Sequence, residues 1–546
     1  MASSERSAAT GLGHHLIVAL GGSETRIPFT PGPSVREILD ATSLRVRSSC
    51  GGVGACGQCR IKIEHGEVTP PTATELCRLG QGEIGQGVRL ACQVRPLQEV
   101  RLSMADPALS SNWRSLLEAE YLPEWSGTGF MRRQGESGYG VAVDLGTTQI
   151  RVSLLELSTG RRVAGRLGLN PQRVFGADVL SRLLAAADSA KRAEEIGGLA
   201  VTAIGEALAD ITAREGLDPK AIRQVAIVGN TPMLCLLTAR NQDLLLMPDN
   251  WMREVDCPVG ETNGWCAAWG VEPGIPVQVV QPLAGFVGSD LLAGVLATGL
   301  TQGPPGSLLI DFGTNSEMAL WDGMTVWVTS AAGGPAFEGC GISCGMPAEP
   351  GAIYRACRLG EDSALEVSVL GGGTARGICG SGLVDMVAAL LGAGELKQNG
   401  RFLAQGQGAG AAPLRLPQGI TLNSQDIDAL QRAKAAIGAG IQCLAAQSGL
   451  RVQDLRRVCV CGAFGRYLDI GNGQAIGLLP AIQAEGVELC GNTALAGCEM
   501  ILVAARGSEV LEPIRKRCRI LNLSVVQGFD DRFVENLYLR PIPMGN

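Results

Sequence analysis

Val141-Ala-Val-Asp144-Leu-Gly146-Thr147-Thr148-Gln-Ile-Arg-Val-Ser-Leu-Leu155 is two apolar runs joined by Asp-Leu-Gly-Thr. Short apolar runs on either side of a Gly turn predict strand, tight turn, strand. The pattern recurs as Leu308-Leu-Ile-Asp311-Phe-Gly313-Thr314-Asn315-Ser-Glu317-Met-Ala-Leu320. Two copies predict two related halves. A turn of Gly and Thr aims backbone N–H groups and a hydroxyl at phosphate oxygens. An Asp at the strand end can hold Mg²⁺ through water, because that ion keeps much of its hydration. One Asp-x-Gly-Thr turn alone is equally compatible with a structural role; the pair, each between strands, points to a nucleotide.

Working outward, the chain from Gly140 alternates strands and helices, an α/β pattern. Gln281-Pro-Leu-Ala-Gly-Phe-Val-Gly-Ser-Asp290 places Asp290 at a helix start, with Gly294 inside that helix. Asp290 reads either as a cap of its own helix or as a cation or water ligand. Glu317 reads either as a surface strand residue or as part of the same site. Val458-Cys-Val-Cys-Gly462-Ala-Phe-Gly465-Arg is a strand running into a Gly turn, and Gly491-Asn-Thr-Ala-Leu-Ala-Gly497-Cys498 starts a further helix. Gly294 and Gly497 would allow two helices to cross closely at a hinge. Gly377-Ile-Cys-Gly-Ser-Gly lacks dinucleotide-loop spacing and is excluded as one. Cys340, Cys344 and Cys357, like Cys459 and Cys461, fit packing rather than a metal pattern. Residues 405–413 read as a loose loop.

The first hundred residues are different. Two short strands, Leu16-Ile-Val-Ala-Leu and Thr25-Arg-Ile-Pro-Phe, precede Ser34-Val-Arg-Glu37, a capping box that predicts a short helix. Then comes Ser49-Cys50-Gly-Gly-Val-Gly-Ala-Cys56-Gly-Gln-Cys59, and later Cys92, a C-x5-C-x2-C-x32-C spacing. Three thiolates on one Gly-rich loop plus one distant Cys is how a 2Fe–2S cluster is wrapped. Zinc would favour two C-x2-C pairs. Cys77, in a helical stretch, falls outside the spacing and reads as a packed or surface thiol. Residues 105–139 read as a linker whose Trp113, Leu116 and Trp125 dock partly on a domain.

Composition narrows the functions. The chain of 546 residues is 46% hydrophobic and 18% charged, with net charge −7. No long basic run argues for nucleic acid or an anionic membrane surface. No apolar stretch reaches the ~20 residues needed to span a bilayer. The start of the chain lacks an apolar h-region, so the 18 Cys are expected mostly as free thiols in a reducing cytoplasm. The three His all lie in the first 65 residues, which removes His-based triads and zinc sites from the rest.

The N-terminal residues resemble plant-type and adrenodoxin-type ferredoxins, and the later motifs, in their order, resemble the acetate and sugar kinase, heat-shock chaperone and actin superfamily. Asn170-Pro-Gln-Arg-Val-Phe-Gly-Ala-Asp-Val-Leu-Ser-Arg182, Val228-Gly-Asn-Thr-Pro-Met, Gly334-Pro-Ala-Phe-Glu-Gly, Gly377 to Asp385 and Gln431-Arg-Ala-Lys-Ala-Ala-Ile resemble the reductive activators of corrinoid proteins. The resemblance implies a multidomain chain: an α+β ferredoxin (β-grasp) domain over 13–104, a linker over 105–139, and an α/β duplicated actin-like ATPase over 140–546. It implies a 2Fe–2S cluster on Cys50, Cys56, Cys59 and Cys92, with ATP and Mg²⁺ as further cofactors. Asp144, Gly146, Thr147 and Thr148 would form the first phosphate loop. Asp311, Gly313, Thr314 and Asn315 would form the second, with Asp144 and Asp311 organising Mg²⁺. Gly462 to Gly465 would be the adenosine turn, and Asp290 or Glu317 would position the attacking water. The implied activity is ATP-dependent transfer of one electron to the Co(II) form of a corrinoid protein. An electron donor, reductase or ferredoxin, is implied, and a homodimer is suggested. Alternatives are an activator of another low-potential metalloenzyme, or a kinase or chaperone-like ATPase with a regulatory cluster. Family members often carry a further domain between linker and ATPase; here Asp144 follows the linker at once, which leaves partner choice open.

Overall fold

The computed structural model describes residues 14–20, 23–40, 42, 44, 46, 54, 57, 59–104, 113–116, 135–176, 178–313, 315–331, 333, 335–339, 341–358, 365–403, 414–416 and 419–543. Cys50, Cys56, Thr314, Cys340, Trp125, Gly334 and the 405–413 loop lie outside them.

The N-terminal unit is a five-stranded sheet around one helix. Its strands are β1 (His14–Leu20), β2 (Ser23–Phe29), β3 (Arg60–His65), β4 (Val88–Leu90) and β5 (Val100–Ser103), in the order β2-β1-β5-β3-β4. Helix α1 (Val35–Asp40) covers it, and α2 (Ala73–Gly85) follows β3. Leu16, Val18, Ile61, Leu90 and Leu102 point inward from the strands and pack with Leu39 of α1 to form its core. The expected capping box is present: the Glu37 N–H donates to Ser34 Oγ and the Ser34 N–H to the Glu37 carboxylate. Cys77 lies on α2 and is exposed.

The described linker residues 113–116 dock on the next sheet. Arg114–Ser115 forms a strand, β6, which pairs with the edge of the next sheet. Trp113 is buried over Gly168, where a side chain would collide with the indole. An aromatic anchor of this size buries enough apolar surface to hold an edge pairing two residues long.

The remainder contains two sheets of matching design. The first is β11-β10-β7-β8-β9-β6, where β7 is Tyr139–Leu145, β8 Gln149–Glu156, β9 Arg161–Leu169, β10 Ile222–Gly229 and β11 Val277–Val279. Helices α3 (Val179–Ala187), α4 (Ala190–Glu215), α5 (Thr231–Thr238) and α6 (Asn263–Trp269) pack on it. Helix α7 (Ser289–Ala297) leads to the second sheet, β21-β20-β12-β13-β14-β22. There β12 is Ser307–Phe312, β13 Ser316–Trp321 and β14 Val326–Ala331; β20 is Arg457–Cys461, β21 Val487–Gly491 and β22 Cys518–Ile520. In both sheets the Asp-x-Gly-Thr strand pairs antiparallel with its successor and parallel with the later strand of its half. Between β14 and β20 lie a small sheet of β15 (Ala352–Cys357), β16 (Glu366–Val369) and β17 (Gly377–Ile378), then α8 (Gly380–Gly392), the hairpin β18 (Leu414–Arg415) and β19 (Thr421–Leu422), and the long α9 (Ser424–Gln447). The chain ends with α10 (Ile470–Ala475), α11 (Thr493–Val503), α12 (Glu512–Arg517) and α13 (Phe529–Asn536).

Helices α7 and α11 lie between the two sheets and build a separate core there. They cross at glycine, as the sequence predicts: a methyl on Gly497 would drive into the Ala293 carbonyl, and one on Gly294 would meet Thr493 Oγ1 at 3.1 Å. Gly497→Ala is expected to destabilise the fold by about 1–3 kcal/mol through overpacking. An unchanged denaturation midpoint would contradict so close a crossing. Among the described residues, α4 alone is long and apolar enough to cross a bilayer, and most of that stretch is buried.

Candidate functional site

Cys59 ends the Cys-rich loop just before β3, and Cys92 follows β4 in the next turn. Pairing of Arg60 with Leu90 brings the two together, and Cys59 Sγ lies 3.3 Å from Cys92 Sγ. The Cys59 thiol donates to Cys92, which pulls Cys92 down to about 7; the Gln93 amide, 3.7 Å away, and the Arg36 charge act the same way. The same hydrogen bond, with burial, pushes Cys59 up. A readily ionised thiol beside a second one suits iron. Gly54 and Gly57 have positive φ, where a side chain would be strained. The described part of the ligand set therefore fits a 2Fe–2S cluster.

The second centre lies between the two matching sheets. Asp144 ends β7 in a buried position; its Oδ2 accepts from Asn492 Nδ2 at 2.7 Å and faces Arg151 at 3.4 Å. The turn after it is closed by the Gly146 N–H donating to the Gln149 carbonyl at 3.0 Å. Three side chains hold that loop from behind. Asn170 donates to the Gly146 carbonyl (2.8 Å), Arg182 to the Thr147 carbonyl (2.7 Å) and Asn230 to Thr147 Oγ1 (3.1 Å). These supports were not singled out individually from the sequence, although all three lie in the runs that carry the family resemblance.

The second loop is built alike. Asp311 pairs in register with Glu317, and the Gly313 N–H donates to the Asn315 carbonyl at 3.1 Å. Gly462 has φ 87° and packs against Asp311 and Phe312, leaving no room for a Cβ; its N–H donates to the Gly491 carbonyl at 2.7 Å. Gly465 packs on the Val460 carbonyl. Behind this turn Phe312, Phe337 and Phe464 form one aromatic cluster, with centroids 4.9–5.6 Å apart.

Asp290 lies in the first turn of α7, two residues after the capping Gly288, and its Oδ1 accepts from the Leu291 N–H at 2.8 Å. Burial, then the charges of Asp144 and Asp311, push its carboxyl up to about 7. Glu317 is raised well above its ordinary range by burial, then by Asp290 and Asp311, although it accepts from Ser330 Oγ at 3.3 Å. Two carboxyls held up in this way beside Asp144 and Asp311 mark a site short of positive charge, which a divalent cation would supply. Without one, both raised groups favour their protonated forms. Their contribution therefore costs the fold stability as pH climbs above the ordinary carboxylate range, through about 7 for Asp290. Binding of MgATP near pH 7 is expected to release protons. Calorimetry in buffers of different ionisation enthalpy measures this, and a buffer-independent heat would count against it.

Comparisons with known proteins agree with both centres. A family model described as "2Fe-2S iron-sulfur cluster binding domain" matches residues 18–97. Those described as "RACo middle region" and "C-terminal domain of RACo the ASKHA domain" match 139–303 and 306–545. The match to the middle region covers the first half of the duplicated fold. "Corrinoid activation enzyme RamQ" of Eubacterium limosum is 30% identical over 427 residues, 73% of this chain and 69% of the relative. "[Co(II) methylated amine-specific corrinoid protein] reductase" of Methanosarcina barkeri is 29% identical over 415 residues, 69% of this chain and 72% of the relative. A solved "Reductive activator for corrinoid,iron-sulfur protein" shares the fold, with TM-score 0.66 and 24% identity, over 97% of this chain and 99% of that one. A cluster-binding domain and a divided phosphate cradle in one polypeptide define an ATP-hydrolysing iron–sulfur electron-transfer protein. More narrowly, the chain belongs to the family of reductive activators of corrinoid proteins.

Proposed function

We propose that this chain passes one electron from a 2Fe–2S cluster on Cys50, Cys56, Cys59 and Cys92 to the Co(II) form of a corrinoid protein in the cytoplasm, driven by hydrolysis of MgATP, and so regenerates Co(I) for methyl transfer. The observation that carries this reading is the joining of paired thiols and a paired carboxylate cradle in a single chain whose relatives are named for corrinoid activation. The bound cluster supplies one-electron chemistry. Arg36 and Gln93 tune the charge around its ligands. Asp144 and Asp311 hold Mg²⁺, and Gly146, Thr147, Thr148, Gly313, Thr314 and Asn315 bind the phosphates. Gly462 and Gly465 admit the adenosine, and Asp290 orients the attacking water.

A one-electron gap of about 120 mV disfavours transfer about a hundredfold. Nucleotide turnover offsets a gap of that size by favouring one arrangement of the two halves about α7 and α11 over the other. The test is anaerobic: reduced protein is mixed with a Co(II) corrinoid protein, and the cobalt spectrum is followed with and without MgATP. Co(I) forms only with MgATP; formation at equal yield without it would remove the activator assignment.

A further inference from the structure

Helix α1 of the ferredoxin unit meets α4 of the nucleotide fold through charged side chains that are out of water, beside a further ion pair between β9 and α4 within the nucleotide fold. Arg36 donates to Asp40 at 3.3 Å and to Glu215 at 3.0 Å. Arg214 pairs with Asp40 and donates to Ser115 of the linker strand at 3.0 Å, and Arg166 pairs with Asp210. The six charged side chains are between 0 and 9% exposed, so these are not solvent-screened surface pairs. Three guanidinium groups face three carboxylates. The balance is incomplete at the level of hydrogen bonds: Arg166 Nη2 and Arg214 Nε are buried without a partner among the described residues. A buried network satisfied only in part is held less firmly than a complete one.

One member of the network reaches the other centre. The Arg36 N–H donates to the Ala91 carbonyl at 2.8 Å, which anchors Arg36 beside Cys92, and its guanidinium is shared with Asp40 and Glu215; its charge favours the ionised form of both Cys59 and Cys92. Asp40 lies on the same short helix as Arg36 and moves with it. Glu215 belongs to the opposite unit, so docking brings its negative charge up against a cation placed beside the cluster ligands.

We propose that this buried network is a redox-sensitive latch: Arg36 holds the ferredoxin unit on Glu215 while the cluster is oxidised, and reduction of the cluster loosens that hold. The inference rests on the 2Fe–2S reading but needs neither corrinoid nor ATP. No bond forms or breaks. One electron from an external reductant such as dithionite enters the cluster, its added negative charge competes with Glu215 for Arg36, and the ion pair across the interface weakens. By linkage, docking and potential are reciprocal: if reduction loosens the dock, docking lowers the potential by the same factor. A unit released when it carries an electron is one able to present that electron elsewhere.

The test uses the full-length holoprotein. Hydrogen exchange is compared between the oxidised and the dithionite-reduced forms over α1 and over the last turn of α4. The α4 turn lies outside the ferredoxin unit, so it reports the dock rather than local changes around the cluster. We expect exchange about tenfold faster there after reduction. Glu215→Gln removes most of that difference, and its cluster midpoint, followed by electron paramagnetic resonance, moves upward by about 59 mV, the equivalent of tenfold for one electron. Identical exchange of α4 in the two redox states would overturn the latch, and this needs no variant to fold. A midpoint in Glu215→Gln that stays in place or falls would overturn it as well. Loss of ATP-driven corrinoid reduction with both results intact would count against the proposed activity and leave the latch standing.

Discussion

Cys92→Ala is expected to strip the iron–sulfur absorbance and abolish electron transfer while leaving ATP hydrolysis largely in place. Cys92 is the ligand that comes from outside the Cys-rich loop, delivered by β4 to within 3.3 Å of Cys59. A cluster of two irons needs thiolates on both, and alanine offers no donor that could replace one. The ferredoxin core does not depend on this thiol: Leu16, Leu39, Ile61, Leu90 and Leu102 fill it. The nucleotide centre is built from different sheets. Iron content and the visible spectrum measure the loss, and ATP turnover measures what remains. Cys77→Ala, on the exposed face of α2, serves as control and keeps the cluster. Full absorbance in Cys92→Ala, or its loss in Cys77→Ala, would refute the ligand set.

Asp290→Asn is expected to lower ATP turnover by roughly 10²–10³, the usual effect of losing one acid–base or positioning group. Nucleotide affinity should change little, since Asp144 and Asp311 remain to hold the cation. Glu317→Gln should cost less, about tenfold or below. The reason is protonation: Glu317 is held well above its ordinary range, and glutamine has nearly the shape of a protonated glutamate. The pH profile separates the two. Asp290 must ionise to work and starts from about 7. A bound cation favours the ionised form, so wild-type turnover rises with pH along a limb at or below about 7. Asp290→Asn loses that limb and Glu317→Gln keeps it. If Glu317→Gln were the more damaged variant, the water-positioning role would move to Glu317.

Much of this design could be read without coordinates. Repetition of Asp-x-Gly-Thr between apolar runs carried the duplication, because a strand–turn–strand is a local structure set by alternation and by glycine. The same holds for the Ser34–Glu37 capping box and for the glycines of α7 and α11. The linker was harder. Arg114 and Ser115 have no strand pattern, and their pairing with β9 depends on Trp113 settling over Gly168, a contact between residues far apart in sequence.

Residue type and spacing alone determined which side chains could bind iron and phosphate, because thiolate clusters and Gly-Thr turns are chemistry written over a few adjacent positions. Tertiary structure decided how those side chains stand toward one another. Burial raised Asp290 and Glu317, Asn170, Arg182 and Asn230 closed around the first loop, and Arg36 came to lie between the cluster ligands and Glu215. Such effects are properties of charge and distance across the fold, and no local pattern encodes a distance between residues 179 positions apart.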